Sequence, residues 1–235
     1  MKKNAPTKAS LLACGILVGA LGCTESGDSL IILQNQVAGE GCVISASSSN
    51  TFVGRGLIDS NSSIGYVFNP LVQNLATAGG GSATRIAFIE GYEVEISFPG
   101  DSVTGVSSEL TGFSSLVSGS ITPGGFAGLS FEVVPPALLA ELTIPAGEYV
   151  ELLAEVTVFG TMDGGEVESN QFRFPIDVCD GCLISNNGPC TDIDSDFTPR
   201  TGGVCNPLQD KIIDCCTLSD GGTLCPAETE EIVTP

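Results

Sequence analysis

Eight of the ten cysteines lie beyond residue 30, and their placement is lopsided. Cys179, Cys182, Cys190, Cys205, Cys215, Cys216 and Cys225 crowd the last quarter of the chain, while Cys42 stands alone near the start. Seven is an odd number. If all eight pair, Cys42 must bond into the late cluster, so the beginning of the folded chain has to lie against its end. An even cysteine count in an exported chain reads as four disulfides, for which sequence reasoning leaves 105 connectivities open. Closing the long loop from Cys42 would stabilise the fold by roughly 4–5 kcal/mol in the chain-entropy account.

Export is readable from the first 23 residues. Met1 to Lys8 carries three lysines and no acid, and Ala9 to Gly22 is an apolar stretch of about fourteen residues. Basic, apolar, then small-residue cleavage site is the order of a secretory signal, and the stretch is too short to span a bilayer. It closes on Leu21-Gly22-Cys23. That ending resembles bacterial lipoprotein precursors, in which a peptidase cuts before a cysteine whose thiol has received a diacylglycerol. The resemblance implies that residues 1–22 are a signal peptide, that Cys23 bears the lipid, and that residues 23–29 form a short leader to a membrane-anchored body. Ala20 stands where the motif usually has Leu. Leu11-Leu12-Ala13-Cys14 is a competing match, but only polar sequence precedes it. Ordinary cleavage near Ala20-Leu21-Gly22, with Cys23 free or disulfide-bonded, is the alternative.

Processing at Cys23 leaves five basic residues (Arg55, Arg85, Arg173, Arg200 and Lys211) against 28 acidic ones, a net charge of −23. Such a surface repels nucleic acid and anionic headgroups and favours divalent cations or cationic surfaces. Solubility alone also accounts for it.

From Leu30 to Val178 apolar and polar residues alternate over short runs broken by Gly, Ser, Asn and Pro. Tyr92, Val94, Ile96 and Phe98 share one face of a strand; Leu129, Phe131 and Val133 share another. Val150, Leu152, Ala154, Val156 and Val158 precede Met162-Asp163-Gly164-Gly165, and Phe172, Phe174, Ile176 and Val178 follow it, which reads as a hairpin. Weaker strands are expected at Leu30–Val37, Cys42–Ala46, Phe52–Ile58, Tyr66–Leu75, Arg85–Glu90 and Glu109–Val117. Pro135–Leu142 has the make-up of a helix of one to two turns, and Gly79-Gly80-Gly81 that of a loop tip. The expected fold is all-β: an antiparallel two-sheet sandwich, Ig-like or jelly-roll-like, at residues 30–178, preferred over a barrel that periodicity does not exclude. Residues 179–227 read as an irregular, disulfide-rich module and 228–235 as an acidic tail.

Chemistry is constrained mainly by what is missing. The chain contains no histidine, which removes Ser/His/Asp and Cys/His nucleophilic machinery and nearly all catalytic zinc sites. Lys211 is the single lysine left after processing and has no serine motif beside it. Glu93 with Glu95, and Glu151 with Glu155, are available as carboxylate pairs for glycoside hydrolysis, but each pair lies opposite an apolar strand face, and no tryptophan offers a sugar platform. Cys179-Asp180-Gly181-Cys182 is a CxxC motif, elsewhere a sign of zinc or redox exchange; after the last strand of a β domain it reads as a structural disulfide. Asp192, Asp194 and Asp196 alternate as in a calcium loop, yet Phe197 and Gly203 stand where an EF-hand needs Gly and Glu. No catalytic residue, metal ligand or cofactor is therefore expected.

An acidic β domain followed by a Cys-rich module, with stretches such as Asp177-Val178-Cys179-Asp180-Gly181-Cys182-Leu183, is similar to Cys-rich lipoproteins of myxobacteria. That family carries no activity over to this chain. Thr24 follows the lipidated cysteine where Asp would favour inner-membrane retention, so the analogy implies the outer membrane. The expected function is a non-enzymatic structural or binding module with an envelope or extracellular partner. A calcium-dependent adhesion module using the terminal aspartates and an acid-pair hydrolase are the alternatives.

Overall fold

The computed structural model describes residues 29–78, 84–100, 103, 105–145, 147–193 and 196–226. Cys23, the expected signal and leader segments, the Gly79-Gly80-Gly81 tip and the expected acidic tail lie outside them. The fold is all-β, built as two facing layers with a small third sheet at one end.

The larger layer contains β3 (Gly56–Asp59), β6 (Ala87–Ser97), β7 (Gly112–Ile121), β10 (Tyr149–Met162), β11 (Gly165–Glu168) and β12 (Phe172–Cys179), in the order β3-β12-β10-β6-β7 with β11 on β10. Its long strands obey the period of two: alternate residues from Val150 to Val158 are buried, as are Tyr92, Val94 and Ile96. Asp163 and Gly164, both with positive φ, form the tight turn that sends β10 into β11. The facing layer is β1 (Leu30–Gln36), β2 (Phe52–Val53), β5 (Pro70–Asn74) and β8 (Phe126–Gly128), in the order β2-β1-β5-β8. Its last pair is prolonged by β4 (Tyr66–Phe68) against β9 (Phe131–Val134). α1 (Ser108–Thr111) and α2 (Pro136–Glu141) are short connections, and α2 buries Leu138 and Leu139.

One apolar cluster fills the space between the layers. At its centre Phe68 has the rings of Phe131, Phe172 and Phe174 within 5.3–5.9 Å, tilted as aromatic quadrupoles prefer.

Several expectations change here. Tyr66–Leu75 is two strands rather than one. The chain changes partners at Asn69, whose buried side chain donates to Gln36 O and accepts from the Ser130 hydroxyl, satisfying groups that a broken ladder would strand. Phe52–Ile58 likewise divides into β2 and β3. Glu109–Thr111 is helical, and the strand begins only at Gly112. No strand forms at Cys42–Ala46: Cys42 closes a 3-10 turn at φ 59°, and Ile44 lies over Gly128, where a β-carbon would come within 2.6 Å of it. The terminal module is more regular than expected. β13 (Ile184–Pro189), β14 (Ile213–Thr217) and β15 (Thr223–Leu224) form a sheet in which β13 and β14 run parallel. β3 also pairs in parallel with β12, so the larger layer is mixed, whereas the facing layer is wholly antiparallel.

Candidate functional site

Residues 206–210, deep within the Cys-rich segment, return to the sandwich and act as a further edge on β3. Asp59 N donates to Leu208 O, Asp210 N to Leu57 O, and Ile58 bridges Gln209. Side chains complete the joint. Asn206 donates to Ile64 O and Gly65 O, while Gln209 accepts from Val67 N and donates to Val67 O. Asp210 accepts from Leu57 N at 2.8 Å and from the Tyr66 hydroxyl at 2.9 Å. Tyr66 thus has its ring in the core against Phe174 and its hydroxyl on the module. Burial raises both groups, the Asp210 carboxyl above its ordinary range and the Tyr66 phenol well above its own. Cys42 is bonded to Cys205, next to this edge, with Cα atoms 5.2 Å apart.

All eight cysteines among the described residues are paired; the other bonds are Cys179–Cys182, Cys190–Cys216 and Cys215–Cys225. The adjacent Cys215 and Cys216 therefore tie two separate segments, as neighbouring strand side chains pointing apart must. Beneath the CxxC loop lies Asp59, fully buried and in no ion pair among the described residues. One carboxylate oxygen accepts from Asn61 N, Asn61 Nδ2 and Gly181 N, and the other from Leu183 N. Its nearest oxygen and the two sulfurs all lie within 4.8 Å of one another.

A cleft of about 310 Å³ opens between the ends of β1 and β2 and the returning segment. Buried Asn35 and Asn69 form its floor, Phe52 stands exposed at its wall, and Arg55, Asp210 and Lys211 are its charged groups. Arg55 is already held by Asp177 at 2.6 Å and Glu151 at 3.1 Å, whereas Lys211 makes no ion pair among the described residues. The cleft is large enough for a small polar ligand. Among the described residues that line it, Asp210 is the one carboxylate.

The glutamates singled out from sequence lie on the outer face of the larger layer. Glu95 stands opposite Glu155, and Glu151 opposite Asp177, in the β6-β10-β12 register. Arg173 binds Glu155 at 2.7 Å and relieves part of that like-charge ladder. Asp194 lies outside the described residues. Asp192 accepts from the Thr191 hydroxyl, and Asp196 has an interaction of its own. Arg200 clamps Asp214 through Nη2 at 2.5 Å and Nε at 2.8 Å, holding that carboxyl well below the usual range.

Sequence reasoning missed Asp59, Asn206, Gln209 and Asp210. A lone acid ending a strand and a polar run between cysteines carry no periodic signal; in the structure Asp210 adopts a φ of 60°, which Asp and Asn tolerate best. Among the described residues no helix is long and apolar enough to cross a membrane. No protein-family model and no curated protein matches the chain, so its function has to be argued from this geometry.

Proposed function

We propose that the protein is a lipid-anchored envelope protein, held at the outer membrane through Cys23, that acts as a non-enzymatic binding module and presents its cleft away from the membrane. One observation carries the orientation. Leu30, the first residue of β1, bridges Ser169 in parallel, and both β1 and the run into β12 lead from there to the cleft and the Cys-rich module. Only residues 24–29 separate Cys23 from β1, at most about 20 Å of extended chain. From Leu30 to Asn35, which lines the cleft, β1 then rises about 17 Å. An anchor at Cys23 thus puts the start of the sandwich near the bilayer and the cleft and disulfides at the far end. Display at the distal end suits recognition of an envelope or extracellular partner, and the acidic surface gives no reason to expect nucleic acid.

The test is Cys23→Ser, followed by labelling with a palmitate analogue and membrane fractionation. Label and membrane retention should both vanish. Undiminished labelling overturns the assignment, and loss of label only on changing Cys14 moves it there.

A further inference from the structure

We propose that the corner formed by Asp59, Cys179 and Cys182 is a thiol-gated site for a borderline or soft divalent cation such as zinc: closed while the disulfide stands, open once an external thiol has reduced it. The site is independent of the anchor and of the cleft.

Three observations carry this. Two sulfurs and a carboxylate oxygen within 4.8 Å of one another form an S₂O donor set of the type that zinc accepts; a tetrahedral ion would take its fourth ligand from water. The Cys179–Cys182 ring spans a sequence separation of 3, against 163 for Cys42–Cys205, so it restricts the unfolded chain least and the fold depends on it least. The loop is also held without it: Asp59 bonds Gly181 N and Leu183 N, and Ser60 N bonds Cys179 O. Reduction therefore leaves the ligands gathered.

Access and charge set the gate. Cys182 is partly exposed while Cys179 is 1% exposed, so an incoming thiolate reaches Cys182 first. Two external thiols deliver two electrons to the bond, giving one external disulfide and two protein thiols. A divalent cation then displaces both thiol protons, which leave to solvent. Without metal, two thiolates beside a buried carboxylate that has no cationic partner among the described residues repel one another; the cation neutralises them.

The experiment uses the purified protein, reduced in graded steps with a phosphine that is then removed, with cadmium as the probe. Alkylation mapped by mass spectrometry should show Cys179 and Cys182 protected by cadmium, together with a thiolate-to-cadmium absorption band that is absent from the oxidised protein. Equal alkylation of both residues with and without cadmium, or protection confined to the other cysteines, overturns the proposal. Asp59→Asn should weaken binding about tenfold or more; unchanged affinity removes Asp59 from the site. Because Asp59→Asn also disturbs the loop, Cys182→Ser is the second variant. It keeps the carboxylate, should bind at least tenfold more weakly, and should melt with the reduced parent; binding as tight as the parent's overturns the site.

Discussion

The sandwich and the segment beyond Cys179 are stabilised by different means. In the sandwich Phe68, Phe174, Val156 and their neighbours are buried in one apolar cluster, and each contributes by leaving water. In the terminal segment the buried groups are largely Asn206, Gln209, Asp214 and the half-cystines, and what holds them is covalent closure and hydrogen bonds from side chains to foreign backbone. The first mechanism tolerates exchange of one apolar residue for another. The second depends on particular atoms at particular places, so a change of one atom can cost as much as the loss of a ring.

Three measurements sharpen or break this contrast. The largest effect is expected from Cys42→Ser with Cys205→Ser. Opening a loop of separation 163 should cost up to about 5 kcal/mol in chemical denaturation, with amide-exchange protection lost at Leu57 and Asp59, which pair with the returning segment. Unchanged stability would mean that the polar joint alone holds the ends together. Next is Phe68→Ala. Removing a fully buried ring among three others should cost about 4 kcal/mol while all four disulfides persist, as non-reducing peptide mapping would show. A cost below about 1 kcal/mol would deny that the aromatic cluster is the centre of the core.

The smallest effect belongs to Asp210. Asp210→Ala strands Leu57 N and the Tyr66 hydroxyl and should cost about 2–3 kcal/mol, whereas Asp210→Asn, which keeps an acceptor and tolerates positive φ, should cost about 1 kcal/mol or less. The sign with pH is fixed by burial. The folded carboxyl titrates above its ordinary value of 3.8, so the native state binds its proton more readily than the unfolded chain does. The contribution of Asp210 is greatest at acid pH and falls as pH rises from 3.8 through the raised value. Melts of parent and Asp210→Asn should therefore shift in the parent's favour as pH is lowered toward 4; a shift the other way would mean that the ionised form is the one stabilised.

Much of the sandwich was legible because one face of each long strand is buried and the other wet. Tyr92 to Phe98, Val150 to Val158 and Phe172 to Val178 announce themselves by period two, and Pro135-Pro136 announces α2. What escaped were elements defined by a partner rather than by their own pattern. β8 is three half-buried residues. β14 reads Ile-Asp-Cys-Cys-Thr and is almost wholly buried, with no alternation to show. The apolar run at Cys42–Ala46 had the composition of a strand but serves to cover Gly128 and present Cys42. Parity of cysteines required Cys42 to reach the late cluster if all were paired, yet no spacing rule selects Cys205 from seven candidates. Nor does any local signal mark Asp59 as the floor of the CxxC loop, since its four donors come from residues up to 124 positions away.

The bond between Cys42 and Cys205 also dictates an order of events. A chain emerging N-terminus first exposes Cys42 long before any other folding-domain thiol, and the next three to arrive are Cys179, Cys182 and Cys190. Pairing by order of arrival would join Cys42 to the wrong partner. The native bond passes over three nearer thiols, and it is the assembled sheets, with β3 already against residues 208–210, that bring the correct two α-carbons to 5.2 Å. Oxidation at this position must therefore follow docking of the C-terminal segment, or be corrected by thiol exchange until it does. Such long-range closure makes for slow folding.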